Sequence, residues 1–424
     1  MEIGPSYAAV DLKANQDEIT IKIPKSENYI DLSETSIYTK CKICTTNDTD
    51  IDDSITASVI NNFGASLWKQ VQVNLNGETV GNSNSLYSYG SILETYLSYG
   101  SESMKTIGSM GLFCKDTPGQ MSTLNIATET KPDTTNNVVA SPLAHNVGFL
   151  KRRKLIIDGK GIIECINQIH SDLFKSDRYL VDNCELEITL TKNTDAFLLL
   201  GKAGYKIVLQ DVKIKIRSQV LSPEVQFAIT NTMNKSNIFY PLKNNETKKF
   251  KMALGGLSVI QELSTGILPL RIVLGMVDSL AVIGKLGLNP FDFQHFGLIE
   301  IGLSVYKKLM PYSSPIKLNF AKNLYLQGYQ TLHEGVSSPF SSHDISREDY
   351  PLGYTLFVFN LEPTTSEGEF TTIPRTGSVS VELTFSDTTD TSKSVDLICY
   401  FEREGGIEID SLRKIVSGAM TKLK

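Results

Sequence analysis

The 424 residues carry 41 Lys and Arg against 47 Asp and Glu, and the net charge of −6 excludes the basic footprint of a nucleic-acid-binding domain. An apolar content of 41% before Gly is added supports a sizeable core and excludes global disorder, and the length suits about three ordinary domains or two large all-β ones. Five His leave little for a multi-His metal site. No apolar run reaches the ~18 residues of a membrane span, and the first residues show neither the basic nor the apolar region of a secretory signal. The six Cys are expected as reduced, buried thiols, and the sequons at Asn47, Asn234 and Asn245 as chance matches.

Along the chain the hydrophobic period is mostly two. Ile19, Ile21 and Ile23 alternate with polar residues, as do Ile37, Thr39, Cys41 and Ile43. Val71, Val73 and Leu75 lead into Asn76-Gly77, the favoured two-residue hairpin turn, and residues 78–80 return. Leu86, Tyr89, Leu93, Tyr96 and Leu97 give a helical stripe. Cys184, Leu186, Ile188 and Leu190, then Val212, Ile214 and Ile216, resume the alternation. Ser222, Pro223 and Glu224 mark a helix start near the midpoint, and residues 222–236 are read as a connecting helix. In the second half Ile299 to Val305 and Val379 to Phe385 alternate, residues 354–361 are apolar on both faces, and Val395, Leu397 and Cys399 close the series. Many short strands between turn-rich segments predict a β-sandwich or barrel. At the end, Leu412, Ile415, Val416, Ala419, Met420 and Leu423 fall at helical spacing, with Arg413, Lys414, Lys422 and Lys424 off the stripe. This predicts an amphipathic basic helix over 411–424, docked on a partner or an acidic membrane surface, or packed on its own sandwich.

Chemistry is scarce. Cys41 and Cys44 form a CxxC, but in a strand residues three apart point to opposite faces and cannot share a metal. No HExxH, GxSxG or phosphate-loop spacing occurs, and the five His are far apart in sequence. Asp48, Asp50, Asp52 and Asp53 lack the glycine turn and distal Glu of a calcium loop. Lys151, Arg152, Arg153 and Lys154 form the concentrated basic run, read either as a phosphate-facing or nuclear-address patch or as a solvated edge leading into a strand at 155–157. Residues alone thus indicate a structural or binding protein.

Several long segments go further. They are Leu93-Glu-Thr-Tyr-Leu-Ser-Tyr-Gly100, Lys115-Asp-Thr-Pro-Gly-Gln-Met121, Gly148-Phe-Leu-Lys-Arg-Arg153, His170-Ser-Asp-Leu-Phe174, Asp177-Arg-Tyr-Leu180 and Thr194-Asp-Ala-Phe197. The second half adds Leu268-Pro-Leu-Arg-Ile-Val-Leu-Gly-Met-Val-Asp278, Asn289-Pro-Phe-Asp-Phe-Gln-His295, Ile345-Ser-Arg-Glu-Asp-Tyr-Pro-Leu-Gly-Tyr354, Val395-Asp-Leu-Ile-Cys-Tyr-Phe401 and Ile407-Glu-Ile-Asp410. In order and span, from about residue 19 to 412, the chain resembles the capsid proteins of Polinton/Maverick elements and adintoviruses. The 362–376 segment and the tail beyond Asp410 depart from that pattern.

The resemblance implies an all-β protein with a few helices, two eight-stranded jelly-roll sandwiches in tandem (a double jelly roll). The expected division is an N-terminal arm (1–16), a first roll (17–221), the connecting helix (222–236), a second roll (237–410) and the C-terminal helix (411–424). It implies a non-enzymatic major capsid protein without cofactor or metal, forming pseudo-hexagonal homotrimers that build an icosahedral shell around double-stranded DNA inside the host cell. Expected partners are neighbouring capsomers, a minor (penton) capsid protein, and an internal membrane or DNA at the inner face. Asp177, Arg178, Tyr179, Arg347, Glu348, Asp349 and Tyr350 combine charge with an aromatic and are candidate interface or corner residues, or else intramolecular ties. Leu412, Arg413, Lys414, Ile415, Val416, Met420, Lys422 and Leu423 are candidate base contacts. The loops 121–147 and 333–350 are expected on the outer tower or clasping neighbours. The alternatives are an intracellular jelly-roll glycan- or receptor-binding protein, a cupin-like metalloenzyme, and a capsid gene taken over by a host.

Overall fold

The computed structural model of the chain describes residues 6–9, 16–124, 145–253, 258–335, 343–361, 375–386 and 393–418. Up to residue 219 the roll strands are β1 (Ser6–Ala9), β2 (Glu18–Ile23), β3 (Tyr29–Thr45), β4 (Trp68–Leu75), β5 (Glu78–Asn82), β6 (Ile162–Gln168), β7 (Leu186–Lys192) and β8 (Tyr205–Gln219). They form two antiparallel sheets, ordered β1-β8-β3-β6 and β2-β7-β4-β5. From residue 238 follow β9 (Ile238–Ala253), β10 (Ser258–Ile267), β11 (Arg271–Asp278), β12 (Leu298–Val305), β13 (Lys308–Leu309), β14 (Leu356–Asn360), β15 (Thr376–Phe385) and β16 (Ser394–Ile409). Their sheets are ordered β9-β16-β11-β14 and β10-β15-β12-β13. The second half therefore repeats the strand order of the first, eight strands on, although no repeat is visible in the residues. Two such sandwiches of eight antiparallel strands are a double jelly roll.

The local chemistry explains the elements. Ile19, Ile21 and Ile23 are buried beside Leu190, Ile188 and Leu186, their register partners across β2 and β7. Asn76 and Gly77 both take positive φ (49° and 87°), the conformation a tight β4–β5 hairpin needs and one a glycine adopts without strain. Helix α1 (Tyr87–Ser98) buries Tyr89, Leu93, Tyr96 and Leu97, the expected stripe. Between the halves stands α3 (Pro223–Met233), with Pro223 in its first turn; the Ser222 carbonyl accepts from the Gln226 N–H, while its side chain makes no capping bond.

Three expectations change. Ser6–Ala9 is not a free arm: it pairs with residues 213–216 of β8 as an edge strand of the first sandwich, and residues 1–5 and 10–15 lie outside the described residues. Residues 155–157 are not a strand; they belong to helix α2 (Val147–Asp158), in which Arg152 and Arg153 are buried rather than solvated. The tail is not a helix as far as it is described. Asp410 accepts from the Leu412 and Lys414 N–H groups, the chain turns, and β17 (Ile415–Gly418) pairs back onto β16. The long strand β16 offers an open ladder row beyond β11, and a strand fills it. Of the expected tail residues, Met420, Lys422 and Leu423 lie outside the described residues, as do 125–144 and 336–342 of the expected loops and 362–374 of the segment that departs from the family pattern.

Candidate functional site

The densest polar chemistry lies where the two rolls meet. Asn146 caps α2, its side-chain oxygen accepting from the Phe149 N–H. Two turns of α2 then aim Arg152 into the interior, where it is 0% exposed. Its guanidinium donates to the carbonyls of Val59 (2.8 Å) and Cys114 (2.6 Å) and to Asp116 Oδ1 (2.7 Å). The other Asp116 oxygen accepts from Asn289 Nδ2 of the second roll at 2.8 Å, and Tyr354 Oη donates to the Asp116 carbonyl at 2.7 Å. A buried charge pair is tolerable only when both partners are satisfied, and here both are. Tyr96 and Tyr354 meet edge to face beside it, as do Tyr89 and Phe291.

A second polar knot ties the rolls further along. Asp172 accepts from the backbone N–H and the side-chain amide of Asn245 (2.8 and 2.6 Å), so this sequon is engaged in the seam. Tyr240 Oη donates to the Tyr179 carbonyl and accepts from the Val181 N–H. Behind these bonds, Glu94 lies 3.3 Å from His170 Nδ1 and 2.9 Å from Lys175 Nζ. Burial opposes the Glu94 charge, but His170 and Lys175 hold its carboxyl down at about 2. Burial pushes Asp172 up to about 6, against the pull of Lys175 and of the Asn245 amide. A cavity of about 90 Å³ opens here between Gly90, Glu94, His170, Asn245, Thr247 and Tyr400, room for about three waters. Tyr400 Oη and Asn245 Oδ1 are buried in this region without a hydrogen-bond partner among the described residues.

The expected interface residues divide. Asp177, Arg178 and Tyr179 are exposed, but Arg178 reaches the Phe239 carbonyl at 2.6 Å and the Tyr179 carbonyl accepts from Tyr240, so two of them also tie the first roll to β9. Arg347 and Glu348 are exposed. Asp349 instead pairs with Lys115 of the first half at 2.9 Å, and Tyr350 is fully buried, donating to the Leu356 carbonyl and ringed by Phe320, Tyr325, Tyr329 and Phe357. Both make contacts within the chain, and Tyr350 offers no surface. In the tail, Leu412, Lys414 and Val416 are exposed, while Ile415 sits partly buried in the β17 ladder. Arg413 turns inward and ties three parts of the molecule together: it pairs with Asp182, donates to Met233 Sδ of α3, and its carbonyl accepts from Asn76. Sequence reasoning missed Asp116, Arg152 and Asn289. The signal available was spacing: Phe149, Arg152, Arg153 and Ile156 share one helical face.

Among the described residues no group of three or more His, Cys, Asp or Glu is placed to hold a metal ion, and no helix is long and apolar enough to cross a membrane. Cys41 and Cys44 are both buried and free; burial pushes the Cys41 thiol up to about 12. Asp48 and Asp50 pair with Lys206 and Lys42.

Two tandem rolls of one strand order define the double jelly-roll class, and the solved structures to which the chain is similar fall in that class. The Sputnik virophage structure superposes with a TM-score of 0.61 at 10% identity, covering 100% of this chain and 89% of that one. PBCV-1 VP54 gives 0.56 at 8% identity over 98% and 97%, and the mavirus major capsid protein 0.53 at 9% over 97% and 89%. In sequence, the Caenorhabditis elegans uncharacterized protein F54H12.2 is 26% identical over 351 residues, 80% of this chain and 76% of that protein. No family model matches the chain.

Proposed function

We propose that the chain is a major capsid protein whose copies associate in threes as six-cornered blocks and tile an icosahedral shell around double-stranded DNA. The observation that carries this reading is the repeated strand order: one chain supplies two equivalent corners, so three chains supply six. Likeness of fold to capsid proteins over nearly the full length of both chains supports it. The role is structural rather than enzymatic, and the partners are neighbouring blocks, a penton protein at the vertices, and membrane or DNA on the inner side. The resemblance of the sequence segments to Polinton/Maverick and adintovirus capsids places the chain among such capsids in this reading.

Light scattering of the purified chain, followed by electron microscopy, tests the proposal. The expected mass is about 140 kDa, three times 46.9 kDa, with hexagonal blocks or closed shells in the images. A chain that stays monomeric up to high concentration, and binds a glycan instead, replaces this reading with the jelly-roll lectin.

A further inference from the structure

The polar knot between the rolls leaves one acceptor unused. Asp172 opens a short 3-10 turn of the first roll, Asp172–Lys175, and faces Asn245 on β9 of the second. Asn245 occupies both carboxylate oxygens: its backbone N–H donates to Oδ2 at 2.8 Å and its side-chain Nδ2 to Oδ1 at 2.6 Å. An ionised carboxylate can only accept, so the Asn245 amide must present its nitrogen. Its Oδ1 is then left buried, with no partner among the described residues. A buried acceptor without a donor is unfavourable.

Charged groups surround Asp172 on several sides. Lys175 Nζ lies 3.4 Å from Asp172 Oδ1 and 2.9 Å from Glu94 of α1, and Glu94 also meets His170 at 3.3 Å. On β9, Glu246 pairs with Arg403 and Lys248. On β16, Glu402 pairs with Arg271 of β11, and Tyr400 Oη is buried without a partner among the described residues. One lysine is therefore shared by two carboxylates, Glu94 and Asp172. The Asp172 side chain is 13% exposed. Burial first, with the Glu94 charge behind it, raises its carboxyl to about 6, against the pull of Lys175 and of the Asn245 amide.

We infer that Asp172 and Asn245 form a proton-operated latch between the two rolls. When Asp172 takes a proton on Oδ1, the Asn245 amide turns over. Its Oδ1 accepts from the new O–H across the gap that Nδ2 now spans, and Nδ2 takes the place of Oδ1 beside the cavity, which has room for water. The Asn245 backbone N–H keeps Asp172 Oδ2, and Lys175 keeps Glu94. The proton supplies the donor that the orphaned oxygen lacks. Because the folded carboxyl sits at about 6 and the ordinary one at 3.8, the folded chain binds more protons than the unfolded chain. The latch therefore contributes stability that is full below 3.8 and is lost as pH rises through 6. Glu94, held at about 2, loses its own contribution only below its ordinary 4.5. Between pH 7.5 and 5 the latch raises the folded-to-unfolded ratio about tenfold. This goes beyond the capsid reading and stands on one chain alone; in a shell of such chains it makes each block firmer in a mildly acidic compartment.

Urea unfolding of the full chain at pH 7.5 and pH 5, at one fixed concentration, tests the latch in wild type and Asp172→Asn. The variant's amide copies the protonated acid at either pH: its oxygen accepts from the Asn245 N–H, and its nitrogen donates to the turned Asn245 Oδ1. Titrations elsewhere in the chain are common to both proteins and cancel in the comparison. Wild type should gain about tenfold in folded-to-unfolded ratio over D172N on going from pH 7.5 to pH 5. A difference between the two proteins that is the same at both pH values overturns the latch. Should D172N fold poorly, hydrogen exchange of wild type replaces it, read by mass spectrometry. Protection factors of residues 240–247, corrected for the intrinsic pH dependence of amide exchange, should rise from pH 7.5 to pH 5, and factors that stay flat or fall overturn the latch. A chain that never trimerises overturns the capsid reading and leaves this result untouched, so the two failures are distinct.

Discussion

Removing the Asp116 carboxylate is the sharpest test of how the rolls are held together. In Asp116→Ala the Arg152 guanidinium keeps the carbonyls of Val59 and Cys114 but loses its counter-charge in a site with no solvent access, and Asn289 loses its acceptor across the seam. Breaking a buried pair from one side costs about 3–5 kcal/mol. With an unfolding entropy of roughly 2.1 cal/mol/K per residue, a chain of this length unfolding as one unit loses about 1 °C per kcal/mol, so the melting temperature should fall by about 3–6 °C. Calorimetry and urea unfolding at one fixed protein concentration measure this. The companion double variant Asp116→Leu/Arg152→Met removes both charges and should recover much of the loss, because apolar residues of similar volume replace a buried pair at little cost. An Asp116→Ala loss below about 1 kcal/mol, or a double variant no better than the single one, would refute the account of the seam as a charge-satisfied lock.

Four further outcomes are expected. Burial, then His333 with its ring 4.6 Å away, holds His343 down at about 4, below its ordinary 6.5; the folded segment binds fewer protons than the open one, so its stability is full above pH 6.5 and lost as pH falls towards 4. Protection factors of residues 343–350, that is exchange rates corrected for the intrinsic pH dependence of amide exchange, should therefore fall between pH 7.5 and 5, and protection that stays flat in wild type removes this reading. Arg413→Ala breaks the tie to Asp182 and Met233 and should cost about 1.5–3 kcal/mol, seen as faster carboxypeptidase trimming. Deleting residues 411–424 strips β17 from β16 and should lower the melting temperature of the protomer, not merely weaken contacts between blocks; an unchanged melt would return the tail to a docking role. Thiol reagents should modify the partly exposed Cys114 first and reach Cys41, Cys165 and Cys399 only on unfolding, since burial pushes all three of those thiols well up.

Strands were legible because each sandwich buries one face, which writes period two into β2, β3, β4, β7 and β15. The hairpin at Asn76-Gly77 was legible because few residue pairs accept two positive φ values. What misled were residues playing two parts. Asp410 before a helical spacing is an N-cap signal, yet the same carboxylate caps a tight turn equally well, and the free ladder row of β16 decided the outcome. Arg152 and Arg153 sit at core positions of α2, so the apolar stripe that would have announced a helix was interrupted by charge. The polar lock joins residues 116, 152 and 289, and the knot joins 172 and 245; contacts so distant in sequence leave no periodic trace.

The pairing of β1 with β8 carries a consequence for synthesis. Ser6 meets Ile216, so this strand, once out of the ribosome, has no mate until some 210 residues later. At roughly 5–20 residues per second that is a wait of about 10–40 s, during which an edge of unsatisfied amides must avoid false mates on other nascent chains. The four described residues of this strand, Ser6–Ala9, are a short template for such errors.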